Sequence, residues 1–187
     1  MFRELLSRVN ELKGSETDRF LKFLAILNCL IEREKIGRII IVGGFAAEIY
    51  SGRSYRTGDV DIIVEGNSEI VKEILKKISD KGLRIYIPKI REISEKGIDI
   101  VDSIYLGERI RKIEVDNYHV YIASAEDIII NYLQAWKFWE STEDKIKAIL
   151  VYCAQDVDEE YLNIKAKQKS VMDYLEKIRS EYCRKTK

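Results

Sequence analysis

One stretch limits what this chain can fold into more than any other: residues 38–65, RIIIVGGFAAEIYSGRSYRTGDVDIIVE. Ile39 to Val42 is a continuous branched run, the pattern of a strand covered on both faces. Gly43-Gly44 follows, then a short helix over Phe45 to Tyr50 that stops near Gly52. Arg53 to Gly58 is a polar loop, and Val60 to Val64 is a second strand. Asp59 and Asp61 enter that strand one residue apart. Side chains at i and i+2 of a strand share a face, so both carboxylates aim at one point. Glycine lets a backbone turn tightly and a ligand approach closely. The helix start behind it offers N–H groups and a positive dipole that suit phosphate. Two carboxylates beside such a turn can hold Mg²⁺ against the phosphates of a nucleotide.

The tripeptide alone proves nothing, because Asp-Val-Asp occurs again at 156–158. There Glu159-Glu160-Tyr161-Leu162 follows, so Asp156 or Asp158 reads as a helix cap. The first copy opens a branched run instead. A charged pair entering a buried strand is costly without a partner. A metal at the strand's mouth is one such partner, and Arg53 or Arg56 is another. A metal site also needs further oxygen ligands, and the candidates are Asp99 and Asp102 of IDIVDS. Three apart, they fall on opposite faces of an ideal strand, so only one of them joins the site. Neither G-x-G-x-x-G nor G-x-x-x-x-G-K-[ST] is present, which disfavours the dinucleotide-binding and P-loop arrangements.

Around this centre the chain reads as helices over 2–12 and 16–34, the second with Phe20, Phe23, Leu24, Leu27 and Ile31 as one apolar stripe. A helix over 69–80, capped by Asn67 or Ser68, closes at Lys81-Gly82. A strand over Leu83 to Ile87 stops at Pro88, residues 89–97 form an exposed charged loop, and Ile98 to Val101 is a fourth strand. Residues 113–115 and 119–122 flank Asp116-Asn117 as a hairpin, with Ile104 to Lys112 unassigned. Ser124 caps the first of four helices, over 126–139, 142–154, 158–167 and 168–183. The expected class is α/β (α+β): a small mixed sheet flanked by helices, with an N-terminal helical pair and a C-terminal helical tail. Its parts are 1–35, helices packing on the core; 36–123, the α/β core; and 124–187, the helical region.

The 187 residues carry 32 Lys plus Arg against 32 Asp plus Glu, so no global field steers the chain to nucleic acid. No apolar run approaches the roughly 20 residues of a membrane span. The amphipathic start is not a signal peptide, and the cytoplasm is the expected location. Three isolated cysteines and a lone His119 exclude structural zinc and read as buried thiols, with no catalytic role for His119. Tyr132, Trp136 and Trp139 line one helical face as packing residues. Lys165, Lys167, Lys169 and Arg184-Lys185 read as a solvated face, with RNA phosphates as the sharper alternative.

Gly43-Gly44, followed by Asp59-Val60-Asp61, resembles the signature of the polymerase-β-like nucleotidyltransferase superfamily. VGGFAAEIYSGRSYRTGDVDIIV resembles more specifically a small prokaryotic branch that includes AbiE-type toxins of toxin–antitoxin systems. In that branch Arg and Thr often precede the first aspartate, as Arg56 and Thr57 do here. Ile122 to Ile129 resembles its helix start after the last core strand. The resemblance covers about 40 to 140. It implies a sheet of the nucleotidyltransferase type and transfer of a nucleoside monophosphate from an NTP such as ATP to a hydroxyl on a protein, RNA or small molecule. It implies Mg²⁺, or Mn²⁺, as cofactor, and a protein partner of toxin–antitoxin type. By position, Asp59, Asp61 and Asp99 are the catalytic and metal-binding carboxylates, Asp99 being preferred to Asp102. Gly43, Gly44, Arg56 and Thr57 are nucleotide-binding. The branch often has a lysine about five residues after its Glu-Asp. Asn131-Tyr132 stands there, and Lys137, a turn or so on, is the substitute. That departure leaves a catalytically degenerate nucleotide- or partner-binding module as the alternative.

Overall fold

Ser15 starts the longest helix. Its hydroxyl accepts from the Asp18 backbone N–H, and the Asp18 carboxylate accepts from the Ser15 N–H at 3.0 Å, a reciprocal cap. The helix behind it, α2 (Glu16–Arg33), buries Phe20, Phe23, Leu24, Leu27 and Ile31, as the apolar spacing requires. Phe20 meets Phe45 edge-on with ring centroids 6.3 Å apart. Asn28 is fully buried yet satisfied at both ends. Its amide donates to the His119 carbonyl at 3.0 Å, and its oxygen accepts from the Ile39 N–H at 2.7 Å. α1 (Phe2–Ser7) is shorter than the expected 2–12 helix, and a 3-10 turn at Val9–Glu11 follows it.

The computed structural model describes residues 1–81 and 85–183. Gly82, the first part of the expected 83–87 strand and Arg184-Lys185 lie outside the described residues. The chain divides into two units: Met1–Phe45 with Thr57–Ile122, and Ala46–Arg56 with Ala123–Lys187.

The first unit holds the sheet. Among the described residues its strands are β1 (Gly37–Ile41), β2 (Asp59–Gly66), β3 (Ser79–Lys81), β4 (Tyr86–Pro88), β5 (Gly97–Asp102), β6 (Ile110–Val115) and β7 (Tyr118–Ala123), in the order β3-β4-β5-β2-β1-β7-β6. The sheet is mixed. β1 is antiparallel to β2 and parallel to β7, and β2 is parallel to β5. Central β1 and β2 bury Ile39, Ile40, Ile41, Val60, Ile62 and Val64 completely, which is why they read as unbroken branched runs. Asp116 turns the β6–β7 hairpin at φ 53°, as Asp-Asn allows.

Several expectations are corrected here. α4 (Ser68–Ile78) ends two residues early, and the chain goes straight into β3, which pairs with β4. Asn67 caps α4 without a side-chain hydrogen bond. Pro88 is the last residue of β4 rather than the residue that stops it. Residues 89–97 are not simply an exposed loop, because Ile93 and Lys96 are buried.

The second unit is helical: α5 (Ala125–Trp139), α6 (Thr142–Ala154), α7 (Glu159–Gln168) and α8 (Met172–Lys177), with a π turn at Ile178–Tyr182. The expected 168–183 helix therefore begins later and widens into the π turn at its end. Ser124 and Asp158 cap α5 and α7 through their side chains. The second Asp-Val-Asp is thus a helix start. The acids of the first α5 turn are buried and used. Glu126 accepts from the Asp158 N–H at 2.9 Å, and Asp127 from the Tyr161 hydroxyl at 2.7 Å, which locks α5 to α7. Trp136 packs edge-on against Tyr174 of α8 at 4.6 Å, while Trp139 is 76% exposed and does not share that packing. Lys165 is buried against the Tyr161 ring and leaves the expected basic face. Among the described residues no helix is long and apolar enough to cross a membrane.

Candidate active site

Gly43 and Gly44 are the first two residues of α3 (Gly43–Tyr50), so the helix starts on the glycines rather than after them. Gly43 has φ +58°. A Cβ there would lie 2.1 Å from Asp61 Oδ2, so the backbone backs directly onto that carboxylate. A Cβ on Gly44 would lie 2.8 Å from Thr57 Oγ1. The Thr57 hydroxyl in turn donates to Asp59 Oδ1 at 2.7 Å. The Val42 N–H donates to the Asp61 carbonyl at 3.0 Å and ties the end of β1 to the start of β2. Both glycines are therefore required by close approach, and Gly43 also by its backbone conformation.

Strand register brings in the third carboxylate. β2 and β5 run parallel with Asp59 opposite Gly97 and Asp61 opposite Asp99. Residues level with each other on adjacent strands share a face, so Asp59, Asp61 and Asp99 lie on one side of the sheet. All three are half-buried. The opposite-face argument against Asp102 does not hold, because the register slips after Ile62 and Asp102 aligns with Ile63. Asp102 has a different task. Its Oδ1 accepts from the Ser103 N–H at 2.6 Å and the Ile104 N–H at 3.3 Å, closing an exposed turn.

Lys96 is a residue that the sequence pattern does not reveal. Its side chain is 1% exposed, and its ammonium donates to the Thr57 carbonyl and pairs with Glu16 at 2.8 Å. The neighbouring Gly97 N–H donates to the Gly58 carbonyl at 3.2 Å. Together these bonds pin Thr57-Gly58, the segment that aims Asp59. A lysine in a charged run reads as solvated, and nothing in the spacing marks it otherwise.

Arg56 and Lys137 belong to the second unit. Arg56 is half-exposed, with Nε 3.6 Å from the buried Glu48 carboxylate. Lys137 donates to the Ser170 carbonyl at 2.8 Å and to Asp173 at 2.7 Å. That ammonium holds the Asp173 carboxyl below its ordinary range. Gly43, Gly44, Thr57, Asp59, Asp61 and Asp99 are thus gathered in the first unit, and the two cations lie in the other.

Among the described residues no three His, Cys, Asp or Glu side chains form a metal cage on their own. Mg²⁺ does not need one. It is usually bound by one or two carboxylates, with waters and substrate phosphates completing the octahedron. An all-oxygen set of carboxylates on one face fits that ion.

The glycines give a test of the geometry. Gly43→Ala forces a Cβ into the left-handed region at roughly 1–2 kcal/mol and pushes Asp61 aside. A loss of about 2 kcal/mol in urea unfolding, together with lost activity, is expected. Gly44→Ala gains helix propensity of roughly 1 kcal/mol and displaces only Thr57. Its stability should be close to wild type while activity falls.

No curated protein matches the sequence. Among solved structures, the chain is similar to an antigenic nucleotidyltransferase-like protein from Paracoccidioides brasiliensis, at 14% identity and a TM-score of 0.58, covering 92% of this chain and 96% of that one. It is also similar to ANT(2")-Ia in complex with adenylyl-2"-tobramycin, at 16% identity and a TM-score of 0.50, covering 78% of this chain and 94% of that one. These likenesses concern the fold. The model of the family described as "Nucleotidyltransferase of unknown function (DUF6036)" matches residues 18–184. With nearly the whole chain spanned by that model, the protein belongs to this nucleotidyltransferase family.

Proposed function

We propose that the chain transfers a nucleoside monophosphate from an NTP to a hydroxyl acceptor and releases pyrophosphate, with Asp59, Asp61 and Asp99 binding Mg²⁺ or Mn²⁺. The observation that carries this reading is the register of Asp61 with Asp99 on the face shared by Asp59, closely backed by Gly43. A divalent ion, when bound, supplies charge neutralisation at the phosphates. The chain's own groups do the rest. The first N–H groups of α3 have no acceptor within the helix and suit phosphate oxygens. The Thr57 hydroxyl orients Asp59. Asp99 accepts the proton of the attacking hydroxyl. Arg56 and Lys137 are the proposed cations for the triphosphate, and each would have to give up an ion pair to serve it, Arg56 with Glu48 and Lys137 with Asp173. ATP is the first nucleotide to try, and the cytoplasm, where NTP is abundant, is the proposed location.

A second reading, a catalytically degenerate component of toxin–antitoxin type that binds a protein partner, is favoured by one feature. Neither Asn131 nor Tyr132 can supply a cation where that branch has its lysine. Incubation with each α-labelled NTP, Mg²⁺ or Mn²⁺ and either lysate or an aminoglycoside separates the two. Transfer of label to an acceptor is expected with one NTP. No label with any of the four, alongside a stable complex with a partner protein, would establish the second reading instead.

A further inference from the structure

Away from the three aspartates, the first unit holds a nucleophile, a base and an orienting acid in hydrogen-bond sequence. Cys29 and Glu32 stand on α2, three residues apart and so on one helical face. His119 on β7 lies against both. Its Nδ1 is 3.4 Å from the Cys29 sulfur, and its Nε2 is 2.7 Å from Glu32 Oε2. A carboxylate accepts, so Nε2 carries the proton and Nδ1 is left as the acceptor facing the thiol. The His119 carbonyl is 3.7 Å from the sulfur and already accepts the Asn28 amide at 3.0 Å, which leaves Nδ1 as the nearer destination for the thiol proton. The His119 backbone N–H also donates to the sulfur at 3.3 Å, a contact that favours developing negative charge. Tyr121 packs edge-on against His119 at 5.7 Å, with the Arg38 guanidinium 5.4 Å from its ring. Cys29 is half-buried, correcting the expectation of buried thiols, and Glu32 lines an open surface cleft with Lys35, Gly37, Arg38 and Glu65.

We propose that Cys29 is a peroxide-reactive thiol with His119 as its base and Glu32 as the residue that orients the base. As the sulfur attacks the distal oxygen of a hydroperoxide, Nδ1 takes the thiol proton, the O–O bond breaks and the leaving alkoxide or hydroxide takes that proton back. The sulfur loses two electrons and becomes a sulfenic acid, and the peroxide is reduced to an alcohol or water. The site is centred on α2 and β7 rather than on β2 and β5, and its chemistry is independent of nucleotide transfer.

The chain carries its own control. Cys153 is exposed, and its sulfur donates to the Tyr182 carbonyl at 3.9 Å. Exposure alone makes Cys153 the faster thiol, whereas base assistance reverses the order. Hydrogen peroxide with dimedone trapping, followed by peptide mass spectrometry at pH 7, reads both rates in one sample. Cys29 is expected to react about tenfold faster than Cys153, a discounted share of what a positioned base supplies. His119→Gln should remove that advantage, and Glu32→Gln should reduce it partly. Cys29 equal to or slower than Cys153 in the wild-type chain overturns the proposal. So does an unchanged Cys29 rate in a folded His119→Gln variant. The wild-type comparison decides even if that variant fails to fold.

Discussion

Asp61→Asn is expected to lower kcat for nucleotide transfer by ~10³-fold in a chain that still folds. A bound metal ion supplies several kcal/mol of transition-state charge stabilisation, which would be forfeited if removal of the proposed ligand Asp61 released the ion, and about 4 kcal/mol corresponds to three powers of ten. Asp59, Asp61 and Asp99 share one face of β2 and β5, and an amide is isosteric with the carboxylate it replaces, so the fold should survive and only the interactions of the replaced carboxylate should be lost. Asp59→Asn should behave in the same way, because an amide oxygen still accepts from the Thr57 hydroxyl. A purely structural role predicts a stability loss of about 1–3 kcal/mol as a paired charge is removed, with kcat unchanged. Asp99→Asn against Asp102→Asn completes the set. Loss of activity is expected for the first, and near-wild-type activity for the second, whose carboxylate serves the Ser103 turn. Steady-state kinetics with calorimetric melting on the same four preparations decides. Full activity in Asp61→Asn would remove the site.

What could be read in advance follows from periodicity. Branched runs on β1 and β2 and the helical spacing of Phe20, Phe23, Leu24, Leu27 and Ile31 are patterns of burial, and burial is what the sheet and α2 supply. The two-residue spacing of Asp59 and Asp61 needs only the pleat of a strand. The second Asp-Val-Asp was separable because acids and a helical pattern follow it, and Asp158 does cap α7. The remainder lacks a periodic signature. β3 is three residues, Ser-Asp-Lys, with propensity against a strand, and it exists because β4 pairs with it. The register slip after Ile62 is a property of two strands together. Cys29 and His119 are 90 positions apart, and only the placement of β7 beside α2 brings them within reach. Lys96 is the largest miss, because a charge in a charged run carries no mark of burial.

Lys96 is accordingly where the fold and the site are tightly coupled, and its substitution by alanine should cost more stability than either glycine variant. Two substitutions separate its parts. Lys96→Met keeps most of the stem and removes the ammonium that stands over the Phe45 ring from both Glu16 and the Thr57 carbonyl. Removing one partner of a buried pair costs roughly 3–5 kcal/mol. Glu16 keeps partial contact with water, with its side chain 24% exposed, which brings the expectation down to about 2 kcal/mol. Lys96→Ala also empties the volume of the stem and should cost about 1–2 kcal/mol more. Urea unfolding reads both as a lower midpoint at unchanged slope. The functional consequence differs from that of the aspartates. Thr57-Gly58 loses its anchor while every carboxylate remains, so kcat should fall by roughly tenfold through misplacement of Asp59, with metal still able to bind. If Lys96→Met unfolds at the wild-type urea concentration and turns over at the wild-type rate, the buried ammonium has no part in positioning the site.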